Sequence, residues 1–177
     1  MINYQPVSNL SFMSKYNTGK RYIQQEQRAP AAKNDTHSEK RLIKTLIWSV
    51  VLYGSETWTM QNEDIRRFEA FETWLWRKIL EVEWTEHKTN EEVLEMVQEK
   101  RMLIKTIRDR QKNWVGHVLR NDSLLRTVWE GRMEGKKVVG RPRTKVLDWM
   151  IQETDGGTYE ELKKLARGRK QWRRVSK

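Results

Sequence analysis

The side chains that could do chemistry are few, because cysteine is absent from the 177 residues. Without a thiol there is no disulfide, no thiolate nucleophile and no Cys-based zinc site, which leaves His37, His87 and His117 as soft ligands. A neutral imidazole near lysines could move protons at neutral pH, and His117 comes closest to that role. It has no carboxylate nearby in sequence to orient it, so it reads as a packed or hydrogen-bonded structural residue. Glu91, Glu92 and Glu95 lie at a helix start, where carboxylates suit capping and dipole neutralisation better than acid–base work. No catalytic residue, metal ligand or cofactor is assigned, and an enzyme acting alone is not expected.

What remains is electrostatic chemistry. Residues 99–145 contain fourteen Lys and Arg against five Asp and Glu, which is +9 of the net +11. The expected partner is a polyanion. At helical period Leu103, Ile107, Trp114 and Val118 fall within a sector of roughly 60°, while Arg101, Lys105, Arg108 and Lys112 gather on the opposite side. The second set is expected to contact phosphates, which position a protein on nucleic acid without reading sequence. Arg120 extends the basic helix. Beyond it, Gly140-Arg141-Pro142-Arg143, flanked by Lys136, Lys137 and Lys145, resembles the core of an AT-hook. Such an extended segment can slide its Arg side chains into a narrow A·T minor groove. Val139 stands where that motif has its first Arg, and a solvated basic loop between helices is an equal alternative. The assigned nucleic-acid-binding residues are thus Arg101, Lys105, Arg108, Lys112, Arg120, Lys136, Lys137, Arg141, Arg143 and Lys145.

The elements that must position them are helices. Residues 1–35 have no sustained apolar period and are broken by Pro6 and Pro30, so they are expected to be a disordered N-terminal segment. Thr36-His37-Ser38-Glu39 has the form of a capping box, followed by Leu42, Ile43, Leu46, Ile47, Val50 and Val51 at helical spacing up to Tyr53-Gly54. Glu63 and Asp64 open a second helix with Ile65, Phe68, Phe71, Leu75 and Ile79 as its stripe. Residues 36–84 are therefore expected to form an antiparallel helix pair. Thr89-Asn90-Glu91-Glu92 starts a short helix, the basic helix follows near Glu99, and Leu124 to Glu130, Val146 to Ile151 and the stretch after Thr158 complete a basic helical region over 85–177. No strand pattern competes, so the class is all-α.

Charge also says where a polyanion would not dock. Residues 41–98 sum to −4 and 146–162 to −5, whereas 163–177 hold eight bases and no acid. Apolar residues make up 37% of the chain, so the core is thin, and it rests on nine Trp that each bury on the order of 150–250 Å². Trp48, Trp58, Trp74, Trp76 and Trp84 are expected in it. The most apolar run, Leu46 to Tyr53, is far short of the ~20 residues a membrane span needs. The N-terminus lacks the pattern of a signal peptide, so no membrane partner and an intracellular location are expected; the compartment expected within the cell is the nucleus.

Two stretches taken together resemble a known family. Leu52-Tyr53-Gly54-Ser55-Glu56-Thr57-Trp58, then Trp114-x-Gly116-His117-Val118-x-Arg120 followed by Gly140-Arg141-Pro142-Arg143, are similar in order and spacing to the C-terminal, thumb and post-polymerase, part of the endonuclease-reverse transcriptase of LINE-like, non-LTR retrotransposons. The similarity covers about Ser38 to Met150. Val146 stands where the family often has Trp, and Gln98 where Gly is common. The resemblance implies that the first helices correspond to a thumb packing on template-primer duplex. The family polymerises with a palm whose paired aspartates hold two metal ions, and no Asp-Asp pair or recognisable palm sequence is found here. The resulting expectation is a non-catalytic fragment of an RNA-directed DNA polymerase that grips duplex DNA or an RNA-DNA hybrid through phosphates, with a reverse transcriptase palm supplied in trans. Its rivals are a domesticated DNA-binding or architectural protein and an inert transposon remnant.

Overall fold

The structure is a computed structural model that describes residues 36–130, 146–154 and 157–174, together with Ser14, Asn17, Thr18 and Arg21, which are helical and exposed. The disorder expected over residues 1–35 otherwise lies outside the described residues. From Thr36 onward the described residues form nine α-helices, and no described residue lies in a strand, so the class is all-α. They form two units. The first holds the described residues up to Ser55 with Met60–Ile107, and the second holds Glu56–Thr59 with the described residues from Arg108 onward. The first unit therefore continues past residue 84, where the sequence suggests a boundary.

The first unit opens with α1 (Thr36–Leu42), a π turn at Ile43–Ile47 and α2 (Trp48–Val51). The π turn breaks the 3.6-residue period. As a result only part of the expected stripe goes inside: Ile43, Ile47, Trp48, Val51 and Leu52 are buried, whereas Leu42 and Leu46 are exposed. Thr45 and Ser49 hydroxyls donate to backbone carbonyls of the preceding turn, at 2.8 Å and 2.7 Å, a competition with the helical ladder that accompanies such irregularity. Gly54, at φ 69°, supplies the left-handed turn that ends the run.

Helix α3 (Asn62–Ile79) starts at a reciprocal cap in which Asp64 accepts the Gln61 N–H at 3.0 Å. Its Phe68, Phe71, Leu75 and Trp76 are 1% exposed, and Phe71 stacks on Trp74 with centroids 6.0 Å apart. The expected stripe is present, with Ile65 and Ile79 only half-buried. Arg77 donates to the carbonyl of Lys88 and to Asn90 Oδ1, fastening the connection that leads to α4 (Asn90–Val97). That helix begins with the expected capping box, Glu92 N–H to Thr89 Oγ1 at 3.3 Å and Thr89 N–H to Glu92 Oε2 at 2.7 Å. It ends on Gln98 in the left-handed conformation, φ 55° and ψ 41°. Lys44 and Glu99 form an ion pair at 2.6 Å within the same unit.

Helix α5 (Leu103–Arg120) gives residues 103–107 to the first unit and 108–120 to the second. The second unit adds α6 (Leu124–Glu130), α7 (Asp148–Gln152), α8 (Tyr159–Arg167) and α9 (Arg169–Trp172). Its core is Val115, Leu119, Leu147, Met150, Leu162, Ala166 and Trp172. The basic C-terminal block is thus tied into a core through Leu162, Ala166 and Trp172. Of the tryptophans expected inside, Trp48 and Trp76 are buried and Trp58 and Trp74 are half-buried, while the side chain of Trp84 lies outside the described residues.

Candidate nucleic-acid interface

Helix α5 has no Ser, Thr, Asp or Asn at Met102 to cap it. Its first N–H groups are met by Glu72 of α3, whose carboxylate accepts from Met102 at 2.9 Å and from Leu103 at 3.2 Å. A helix start exposes orphan donors and a partial positive charge, so a carboxylate there does both capping and charge compensation. Burial raises the Glu72 pKa above the ordinary carboxylate value, and the two N–H donors and Arg101 partly offset this.

The four expected phosphate contacts, Arg101 just before this helix and Lys105, Arg108 and Lys112 on it, do not form an uncompensated row. In the first unit, Arg101 donates to Glu91 at 3.2 Å, and Lys105 is exposed and has no ion-pair partner among the described residues. In the second, Arg108 pairs with Glu153 at 3.4 Å and lies over the Trp149 ring at 5.3 Å. Lys112 is buried, and its ammonium donates to the carbonyl of Arg173 at 3.4 Å. Burial lowers its pKa, opposed by Asp109 and Glu153. The burial of Lys112 has a plain cause: its aliphatic stem is covered, and its head is taken by a backbone carbonyl of the C-terminal segment.

Arg120 is half-buried and donates to the carbonyl of Ala166 at 3.2 Å, satisfying a terminal acceptor of α8. Burial lowers its pKa, and the like charge of Arg169 adds to the effect. Lys136, Lys137, Arg141, Arg143 and Lys145, and with them the Gly140 to Arg143 turn, lie outside the described residues. His117 is exposed, with Nε2 3.1 Å from Asn121 Nδ2. Among the described residues no three of His, Asp and Glu gather into a group that could hold a metal ion. No described helix is long and apolar enough to cross a membrane.

Sequence reasoning missed the groups that hold the second unit's basic surface in place. The Trp172 indole N–H donates to the carbonyl of Lys112 at 3.0 Å, and its ring lies against Gly116. Gln111 is buried, donating to the carbonyl of Trp58 at 2.9 Å and accepting from the Trp149 indole at 2.9 Å. Tyr159 donates to Glu130 at 2.9 Å, and Lys163 pairs with the same carboxylate at 2.7 Å. The available signal for Trp172 was its isolation: one aromatic among eight bases.

The chain is similar to an uncharacterized transposon-derived protein of Caenorhabditis elegans, at 26% identity over 159 residues. The match takes in 80% of this chain and 57% of that protein, so the chain spans little more than half of its relative. No family model and no solved structure matches the chain. The likeness relates this sequence to transposon-derived proteins.

Proposed function

We propose that the chain is the thumb and post-polymerase part of a LINE-like reverse transcriptase, and that it grips duplex nucleic acid through phosphates without performing chemistry itself. The observation that carries this reading is charge segregation on a folded helical scaffold. In the second unit α5 turns Val115, Val118 and Leu119 inward, while exposed cations collect on the neighbouring C-terminal helices. Support comes also from the similarity to a transposon-derived protein and from the ordered motifs from Leu52 to Arg143. The palm that would polymerise is a partner in trans, and the site of action is nuclear.

The test is competition filter binding of an RNA-DNA hybrid against an A·T-rich duplex, at several stated salt concentrations. A phosphate grip gives an affinity that falls with salt, at roughly −0.9 per phosphate contacted on double-stranded DNA. Preference for the hybrid supports the polymerase-derived reading. Preference for A·T-rich duplex, lost selectively in Arg141→Ala, replaces it with the domesticated DNA-binding protein. A chain that neither melts cooperatively nor binds is an inert remnant.

A further inference from the structure

The C-terminal helices carry the densest set of unpaired charge among the described residues. Lys164, Arg167, Arg169, Lys170, Arg173 and Arg174 are all exposed, and none of the six makes an ion pair among the described residues. On α8 the pattern is two-sided: Lys163, Lys164 and Arg167 fall within roughly 100° of the helix circumference, away from Leu162 and Ala166. Leu162 and Ala166 are 0% exposed, and Trp172 is 3% exposed. The acids of α8, Glu160 and Glu161, sit in its first turn, where they offset the helix dipole.

This surface is held rather than trailing. Trp172 donates its indole N–H to Lys112, Lys112 donates its ammonium to Arg173, and Arg120 donates to Ala166, so three side chains fasten the segment to α5 or from it. Fixing six like charges on one packed scaffold is self-repelling unless an anion is present. The aromatic rings nearby are largely covered: Trp172 is buried, and Tyr159 is half-buried and hydrogen-bonded to Glu130. A surface of cations without exposed rings suits phosphates in a regular array and lacks the platforms that grip unpaired bases.

We infer that α8, α9 and the following Arg173 and Arg174 form the principal phosphate-docking surface, that its occupant is a nucleic-acid duplex, and that Trp172 is the anchor that holds the surface on α5. This rests on the nucleic-acid grip proposed above and locates it away from the α5 ridge.

The experiment uses the full chain and measures dissociation constants across a salt series. The probes are a mixed-sequence DNA duplex, one of its single strands, and phosphatidylglycerol-phosphatidylcholine vesicles. Arg173→Ala with Arg174→Ala is expected to flatten the duplex salt slope by about two units, since each lost contact removes about 0.9. A control, Lys100→Ala, takes an exposed cation that lies outside the thumb-like helices, the C-terminal helices and the assigned contacts and should leave the slope unchanged. Should the first pair melt early, Arg167→Gln with Lys170→Gln replaces it and should flatten the slope similarly. No salt-dependent binding by the wild-type chain would overturn the grip itself. Wild-type binding with unaltered slopes in both C-terminal variants would overturn only this location, as would equal flattening by the control. Single strand bound as tightly as duplex, or vesicles bound in preference to duplex, would overturn the choice of occupant.

Discussion

The carboxylate of Glu72, 1% exposed in the middle of α3, accepts the backbone N–H of Leu103 at the start of α5. Helix α5 is therefore capped from another helix, in place of the local Ser, Thr or Asp that usually does so. A buried carboxylate with donors on one side has two opposed influences on its proton, and burial wins: its pKa is raised.

The pH consequence follows from that direction. Between the unfolded value and the raised folded value, the native state keeps a proton that the unfolded chain has lost, so this group's contribution to stability falls as pH rises through that window. Glu72→Gln keeps an acceptor and removes the titration. Its stability relative to wild type should improve from mildly acidic to neutral pH, as measured by urea melts at each pH. Parallel pH profiles would refute the assignment. Glu72→Ala, which removes the cap, should cost about 0.5–2 kcal/mol.

Gln98 offers a test of opposite sign. It ends α4 at φ 55°, where an L side chain costs roughly 1–2 kcal/mol and Gly costs only its extra unfolded-state entropy, about 0.5–1 kcal/mol. Gln98→Gly should raise the melting temperature. A lower one would mean that the exposed Gln side chain makes contacts that outweigh its backbone.

The burial of Phe71 makes a third. With the ring 1% exposed and stacked on Trp74, Phe71→Ala should cost on the order of 3–5 kcal/mol. A chemical melt with the wild-type midpoint would contradict this packing.

These examples show which parts of the fold a linear pattern carries. The Thr89 to Glu92 box and the cap at Thr158, where Oγ1 accepts from the Glu161 N–H at 3.4 Å, are i to i+3 relations, as is the Phe68 to Phe71 spacing, so local reading finds them. The Glu72 cap, the burial of Lys112 and the seat of Trp172 join groups far apart in sequence. Helical periodicity reports which residues share a face but not which face is covered. It therefore placed Lys112 with Lys105, although only Lys105 meets solvent. The basic character of the candidate interface was legible from composition; the partition of cations into paired, buried and unpaired required the fold.

Tyr159 should titrate late. Burial, then its hydrogen bond to Glu130 and that carboxylate's charge, push the phenol up to about 12. Because the folded state holds this proton above the ordinary value, stability should fall as pH climbs from about 10 towards the raised value. Ultraviolet titration should show a phenol ionising near pH 12 that disappears in Tyr159→Phe, whose alkaline stability profile should be flatter. Loss of no late-titrating phenol in that variant would rule out the pairing.

Gly116 supplies the sharpest conflict between local and tertiary effects. In the interior of a helix Gly is less favourable than Ala by about 0.5–1 kcal/mol, so propensity alone makes Gly116→Ala stabilising. The added methyl, however, would lie 2.7 Å from Trp172 Cε2 and 2.8 Å from Cδ1, and closer still to Nε1. The indole is rigid and its N–H is held by Lys112, so the ring must leave its seat. Overpacking of this kind costs about 1–3 kcal/mol, enough to reverse the sign. Gly116→Ala should therefore lower the melting temperature, whereas the same change made in a Trp172→Ala background should be neutral or stabilising. The double-mutant cycle isolates the coupling of the two positions, and equal effects of Gly116→Ala in both backgrounds would show that Trp172 does not pack there.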